Sequence, residues 1–227
     1  MMAEKKTRVA ILFGGRSAEH DVSRASAANI FRSLDAGRYA ITLIGITPDG
    51  RWVLADAVND GTATALTVPA DGPPIVLLPA GKGRALVVGD GAAGTRELAF
   101  DVIFPVLHGP NGEDGTVQGA LELADVAYVG GRVLGSAAAM DKDVAKRLLR
   151  DAGLPIVPFV TLTEAAPVTY EAAVDAVGSS ELFVKPANLG SSVGISKARN
   201  TEEFDAACRL ALRFDGKILI ERCMTPV

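Results

Sequence analysis

Phosphate chemistry needs cations and backbone donors that an anion can approach closely. The stretch Phe183-Val184-Lys185-Pro186-Ala187-Asn188-Leu189-Gly190-Ser191-Ser192-Val193-Gly194 offers both. Lys185 closes a short apolar run, and Pro186 stops any helix. The loop of small residues that follows lets N–H groups reach an anion, and the hydroxyls of Ser191 and Ser192 add donors. The pattern predicts a phosphate clamp between two strands, with the second strand over Val193–Lys197; the competing reading is a plain hairpin with a solvated lysine. No Gly-Lys-Ser/Thr opens a helix here, so this is not a Walker-type loop. Of the two histidines, His20 follows Glu19 in the loop Gly14–Asp21, and His108 opens the loop His108–Gly115. No Cys/His cluster has zinc spacing, and nothing near Ser191 supplies a Ser–His–Asp arrangement.

The elements that must position these groups read as α/β. Val9–Phe13 is a buried strand ending at Gly14-Gly15. Val22, Ala25, Ile30 and Leu34 mark a helical face closed by Gly37, and Tyr39–Ile46 is a β-branched strand. This strand–loop–helix–strand unit predicts a parallel sheet, which binds ligands at the carboxyl ends of its strands. Residues 56–100 predict an insertion of short strands or hairpins. Asp101–Leu107 is a further buried strand, followed by a helix capped by Thr116. A long helix is expected from Ser136 to Ala152 with Ser136 as its N-cap and Gly153 as its stop. It carries Lys142, Lys146, Arg147 and Arg150; Lys146 and Arg147 read as a solvated face. Strand Leu182–Lys185, a helix from Thr201 to Phe214 and strand Lys217–Glu221 complete the chain. The predicted domains are 1–135 and 136–227.

The chain has 227 residues, 48% of them apolar, and a formal net charge of −4. Size and composition suit one large or two modest globular domains. The charge gives no basic surface for nucleic acid. No run of eighteen apolar residues predicts a membrane span, and the apolar stretch near the start ends too soon for a signal peptide. Cys208 and Cys223 read as reduced thiols of a cytoplasmic protein. A dinucleotide-binding oxidoreductase is disfavoured: Gly-x-Gly-x-x-Gly is absent after the first strand, and no acidic residue ends the second at Ile46.

Three blocks in order make the chain resemble the D-alanine–D-alanine ligases of the ATP-grasp superfamily. The first is Leu12–Ser23. The second runs from Phe104-Pro105-Val106-Leu107-His108-Gly109 through Gly112–Gly119 to Met140-Asp141-Lys142. The third is the lysine–loop stretch extended to Ile218-Leu219-Ile220-Glu221. The match covers nearly everything except residues 56–100, and the long N-terminal part is similar to the longer ligases of the family. The resemblance implies a parallel α/β pre-ATP-grasp domain followed by a partial ATP-grasp central domain with an α+β lid. It implies ATP-dependent joining of two D-alanines through an acyl phosphate, for peptidoglycan precursors, with ATP and Mg2+ (or Mn2+) as cofactors and a homodimeric state.

By the same resemblance Glu19 pairs with the ammonium of the first D-alanine, and His108 sits beside its carboxylate. Ser191 links the phosphate loop to Glu19 as a positioning group. Lys142 and Lys185 hold ATP phosphates, Ser192, Val193 and Gly194 cover them, and Glu221, Arg222 and Met224 meet adenine, with Glu221 accepting from the exocyclic amine. Asp21 stands where many relatives have glutamate, and Arg222-Cys223 is a variable pair. Family members continue well beyond the last strand, with the metal ligands, a transition-state arginine, the covering loop and a ribose-binding glutamate. The chain is therefore expected to be a partial one, inactive alone, with strand Lys217–Glu221 left as an exposed edge. The alternatives within reach are a D-alanine–D-lactate or D-serine ligase, or a non-catalytic remnant that binds D-alanine or ATP.

Overall fold

The computed structural model describes residues 5–56, 64–89 and 94–224. They divide into two compact units between Ser136 and Ala137.

In the first unit β1 (Thr7–Gly14) leads through α1 (His20–Ser33) to β2 (Tyr39–Ile46), which pairs parallel to β1. The turn Thr47–Arg51 sends β3 (Trp52–Ala55) back antiparallel to β2. β4 (Ile75–Leu77), β5 (Arg84–Val88) and β6 (Thr95–Ala99) form a separate antiparallel sheet, the short strands expected from the apolar runs of the insertion. β7 (Val102–Val106), α2 (Thr116–Leu123) and β8 (Ala127–Tyr128) extend the main sheet, whose order is β3-β2-β1-β7-β8.

Alternation along β1 explains its unbroken apolar run. Val9, Ile11 and Phe13 face Ala27 and Ala28 of α1, while Ala10 and Leu12 face Val117 and Leu121 of α2 together with Ile75 and Val87 of the small sheet. A strand covered on both faces has no use for polar residues. Thr116 is the first helical residue of α2 rather than its cap. The N-cap is Gly115, at φ +90°, and the Thr116 N–H donates to Asp114 Oδ1, one residue before the cap, at 3.0 Å.

The long helix expected over Ser136–Ala152 is two helices, α3 (Val133–Met140) and α4 (Lys142–Asp151). Asp141 breaks it: its backbone is extended, and its carboxylate accepts from the N–H groups of Asp143 (3.0 Å) and Val144 (3.1 Å). The side chain competes for N–H groups that would otherwise continue the helix, which is what makes aspartate a good N-cap. Gly153, at φ +75°, ends α4 as expected.

In the second unit β9 (Phe159–Thr163), α5 (Tyr170–Val177), β10 (Leu182–Pro186), β11 (Ser196–Ala198), α6 (Thr201–Leu212) and β12 (Lys217–Arg222) build an antiparallel sheet of order β11-β10-β12-β9. β12 is internal, bonded to β10 on one side and β9 on the other, so the expected exposed edge does not exist. The sequence reading had not foreseen that β9 would pair with it. Leu182, Val184, Ile218 and Ile220 pack on Ala173, Val177, Phe204 and Ala211 of α5 and α6. Out of phase with these, Phe183, Lys185, Lys217, Leu219 and Glu221 are on the opposite face. β11 starts at Ser196, not Val193, because Ser191, Ser192 and Gly194 all have positive φ.

Candidate functional site

Two groups of side chains stand out, one in each unit. In the first, the chain turns one way from β1 to β2 and the other way to β7. β1 and β7 are parallel neighbours, so the loops leaving them open at the switch point where such sheets bind ligands. Their shape is set by backbone need. Gly14 and Gly15 have φ of +90° and +98°, and a Cβ on Gly14 would lie 2.4 Å from the Ile46 carbonyl oxygen. The buried Ser23 hydroxyl accepts from the Gly14 N–H at 2.8 Å and donates to the Val106 carbonyl, tying β1 to β7. Ser17 Oγ donates to the His108 carbonyl at 2.6 Å and accepts from the Glu19 N–H at 3.2 Å.

These ties set Glu19 against Gly109, the residue after His108. Glu19 is half-buried at the N-cap of α1. Its Oε2 would be 3.0 Å from a Cβ built on Gly109, whose φ of +71° already disfavours a side chain. His108 Nε2 is 3.3 Å from Ser26 Oγ, and the ring borders a cavity of about 200 Å³ with Gly15, Arg16, Trp52 and Leu107. His20 is engaged elsewhere: Nδ1 lies 2.8 Å from the Gly15 carbonyl, which can only accept, so that nitrogen carries the proton. Glu113 and Asp114 serve the loop itself. Glu113 Oε2 accepts from the Gly109 N–H at 2.6 Å, and Asp114 takes the N–H groups of Asn111 and Thr116. Burial pushes the Asp114 carboxyl up, but those N–H groups outweigh it and hold it below its ordinary range. A carboxylate and an imidazole on the two neighbouring loops suit a small zwitterion, whose ammonium and carboxylate ends need partners of opposite character.

In the second unit the polar face of the sheet carries a lysine cluster. Lys185 Nζ donates to Glu221 Oε2 at 2.5 Å, and Lys146 Nζ to Glu221 Oε1 at 2.6 Å. Burial would raise the Glu221 carboxyl, but the two ammonium groups outweigh it and hold the carboxyl below its usual value. Lys142 stands one helical turn before Lys146 on α4 and donates to the Ala187 carbonyl (3.3 Å) and the Leu189 carbonyl at the root of the loop. Burial, and then repulsion from Lys185, lower its pKa. Lys146 and Lys185 thus share the Glu221 carboxylate on a half-buried surface, while Lys142, held to backbone carbonyls, lies within the fields of Asp215, Glu221 and Asp141. The neighbouring Lys217 is matched by Asp141 (2.6 Å) and Asp143 (3.3 Å), which pin the start of α4 to β12.

The loop above this face is anchored at its root. The Asn188 N–H and side-chain amide both donate to Asp215 Oδ2, at 2.8 and 2.9 Å. Its tip is a tight turn: the Val193 N–H donates to the Gly190 carbonyl at 3.2 Å across Ser191 and Ser192, whose φ values are +51° and +60°. Positive φ at both central positions favours Gly or Asn, and serine there stores strain. Gly194 has no room for a side chain, because a Cβ would lie 2.9 Å from both Phe214 and Pro186. Ser191 and Ser192 are exposed, with Val193 half-buried behind them.

The structure therefore gathers Lys142, Lys185 and Glu221 in one cluster, and separately sets Glu19 against Gly109, the residue after His108. Both side-chain oxygens of Glu221 accept from lysines, Lys146 and Lys185, and each oxygen keeps a second lone pair. Arg222 is exposed and Met224 is 58% exposed at the end of β12. Sequence reasoning missed Lys146. It was assigned to a solvated face, yet its side chain is only 14% exposed; its i,i+4 spacing from Lys142 was the available signal. Arg147, half-exposed and paired with Asp143, fits the solvated reading. Among the described residues no group of three or more His, Cys, Asp or Glu could hold a metal ion, and no helix is long and apolar enough to cross a membrane.

Comparison with known proteins agrees with both halves. Residues 8–131 match the family described as D-ala D-ala ligase N-terminus, and residues 148–226 match D-ala D-ala ligase C-terminus. A D-alanine–D-alanine ligase of Bradyrhizobium sp. (strain BTAi1) is 85% identical over 100% of the chain, which spans 62% of that relative's length. Among solved structures, the D-alanine–D-alanine ligase of Coxiella burnetii superposes with a TM-score of 0.79 at 34% identity, covering 97% of this chain and 64% of that one. The D-Ala:D-Ser ligase of Enterococcus faecalis gives a TM-score of 0.81 at 34% identity over the same shares. With its sheet order, its two loop clusters and both of its halves matched, the chain belongs to the D-alanine–D-alanine ligase family.

Proposed function

We propose that the protein joins two D-alanines at the expense of ATP. The observation that carries this reading is the lysine cluster on the half-buried polar face of the second unit, where Lys146 and Lys185 share Glu221 and Lys142 sits at the root of the small-residue loop. Three ammonium groups beside such a loop suit a polyphosphate, since phosphoryl transfer rests on positioning and charge neutralisation. In the proposed reaction a carboxylate oxygen of the first D-alanine attacks the γ-phosphorus, and ADP leaves. The amine of the second D-alanine then attacks the acyl carbon, and phosphate departs with the electron pair of the broken C–O bond.

In this reading Glu19 holds the ammonium of the first D-alanine and His108 stands by its carboxylate. Ser191 positions the loop. Lys142 and Lys185 neutralise phosphates under Ser192, Val193 and Gly194, and adenine meets the backbone around Glu221, Arg222 and Met224. Magnesium or manganese would arrive with the nucleotide; the described residues supply no donor set for it, and no step is assigned to it. The reading carries with it a cytoplasmic site of action, peptidoglycan precursor synthesis and a homodimer.

The test is product analysis. The native protein with ATP, magnesium and D-alanine should yield D-alanyl-D-alanine, with one ADP released per dipeptide. Absence of D-alanine-dependent ADP release would sink the proposal. Preferential formation of a mixed product when D-serine or D-lactate is added would replace it with the alternative specificity.

A further inference from the structure

We propose that Lys146 is a positioning residue of the nucleotide site: it is the standing counter-ion of Glu221, and so releases Lys185 to meet phosphate. This rests on the nucleotide reading given above.

Lys185 faces two competing demands. It lies one residue from the end of β10, where the loop begins, yet its ammonium is held by Glu221 at 2.5 Å. The Glu221 side chain is only 11% exposed. If Lys185 alone neutralised it, moving that ammonium to a phosphate would leave a buried carboxylate uncompensated, a costly state. Glu221 has a second partner, however. Lys146 Nζ takes the other oxygen at 2.6 Å, is itself only 14% exposed, and lies 4.9 Å from the centre of the Phe159 ring. Carboxylate and ring both hold the Lys146 ammonium in place.

The division of labour follows from the elements. α4 presents Lys142 and Lys146 one turn apart on the same side, and Lys217 fixes the start of α4 through Asp141 and Asp143. Lys142 contacts the loop root, while Lys146 contacts Glu221. One helix thus supplies a cation for the ligand and a cation for the protein's own carboxylate. Lys185, the more exposed of the two Glu221 partners at 21%, is the one able to change hands.

The test compares binding of ATP and of adenosine to this chain by titration calorimetry; their ratio isolates what the phosphates contribute. Lys146→Met should lower the ATP-over-adenosine preference by about tenfold or more, because Lys185 becomes the sole counter-ion of Glu221. Lys146→Arg should retain most of the preference. Adding Lys146→Met to a Glu221→Gln background should cost little, since a neutral amide needs no counter-ion. Thermal unfolding by circular dichroism checks that each variant is folded. An unchanged preference in folded Lys146→Met overturns the proposal. If that variant does not fold, the Glu221→Gln background decides: an equally large loss of preference there overturns it. If the unsubstituted chain binds ATP no more tightly than adenosine, the nucleotide reading itself fails, an outcome distinct from the other two.

Discussion

At the scale of single residues, the surroundings of Lys142 make a pH prediction. Its pKa lies below the ordinary 10.5 because burial, and then Lys185, disfavour the charged form. An anion favours that form and raises the pKa again. The sign follows: below the lowered pKa the ammonium is already present and affinity for ATP is flat. As pH rises through the lowered pKa, binding must take up a proton, and affinity falls by up to about tenfold per pH unit for one linked proton. Lys142→Arg, which stays charged, should move the decline to higher pH. Titrations between neutral and alkaline pH check this; a decline at the same pH in both proteins would contradict it. Glu221 shows the opposite balance. Two lysines keep it charged although it is buried, so it is a fixed part of the site and not a titrating group near neutral pH.

At the scale of elements, the break between α3 and α4 is the informative one. Asp141 caps α4 and also receives Lys217 from β12. The carboxyl is lowered overall, because Lys217 and the Val144 N–H outweigh the effect of burial. Asp141→Ala should therefore destabilise the chain by about 0.5–2 kcal/mol through the lost cap, with a further contribution from the orphaned Lys217. Asp141→Asn retains a capping oxygen and should recover the larger share of the loss. Urea unfolding of the three proteins measures it; equal stability of the alanine variant and the parent would mean that the cap contributes nothing. The loop over the lysine face is the second element with a mechanical role. It is fixed at its root by Asp215 and strained at Ser191-Ser192, which suits a segment whose tip rearranges while its base stays put.

At the scale of the molecule, the proposed function assigns its two ligand chemistries to different units: a carboxylate and an imidazole in the first, a lysine cluster in the second. Their binding should be separable by substitution. Glu19→Gln should weaken D-alanine binding by at least about tenfold and leave the affinity for adenosine unchanged, whereas Lys185→Met should weaken ATP by a similar factor. Equilibrium dialysis with labelled D-alanine and labelled nucleotide reads both. If Glu19→Gln weakened adenosine as strongly as D-alanine, the division would be wrong.

The sequence by itself determined the parallel strand–helix–strand start, because only a strand covered on both faces has a run such as Ala10-Ile11-Leu12-Phe13. It determined the glycines at Gly14 and Gly15, the lysine at the root of a small-residue loop, and the three blocks that mark the family. These are local signals, read from periodicity, breakers and spacing. Only the tertiary structure decided that β12 is an internal strand, since its pairing with β9 joins residues far apart in the chain. Only it showed that Lys146 is buried against Glu221 and Phe159, because helical spacing says which residues share a face but not what that face meets. The roles of Ser17, in the loop after β1, and Ser23, in α1, as ties between β1 and β7 and their loops were hidden for the same reason: a hydroxyl's partners are fixed by the fold, and the serine itself carries no mark of them.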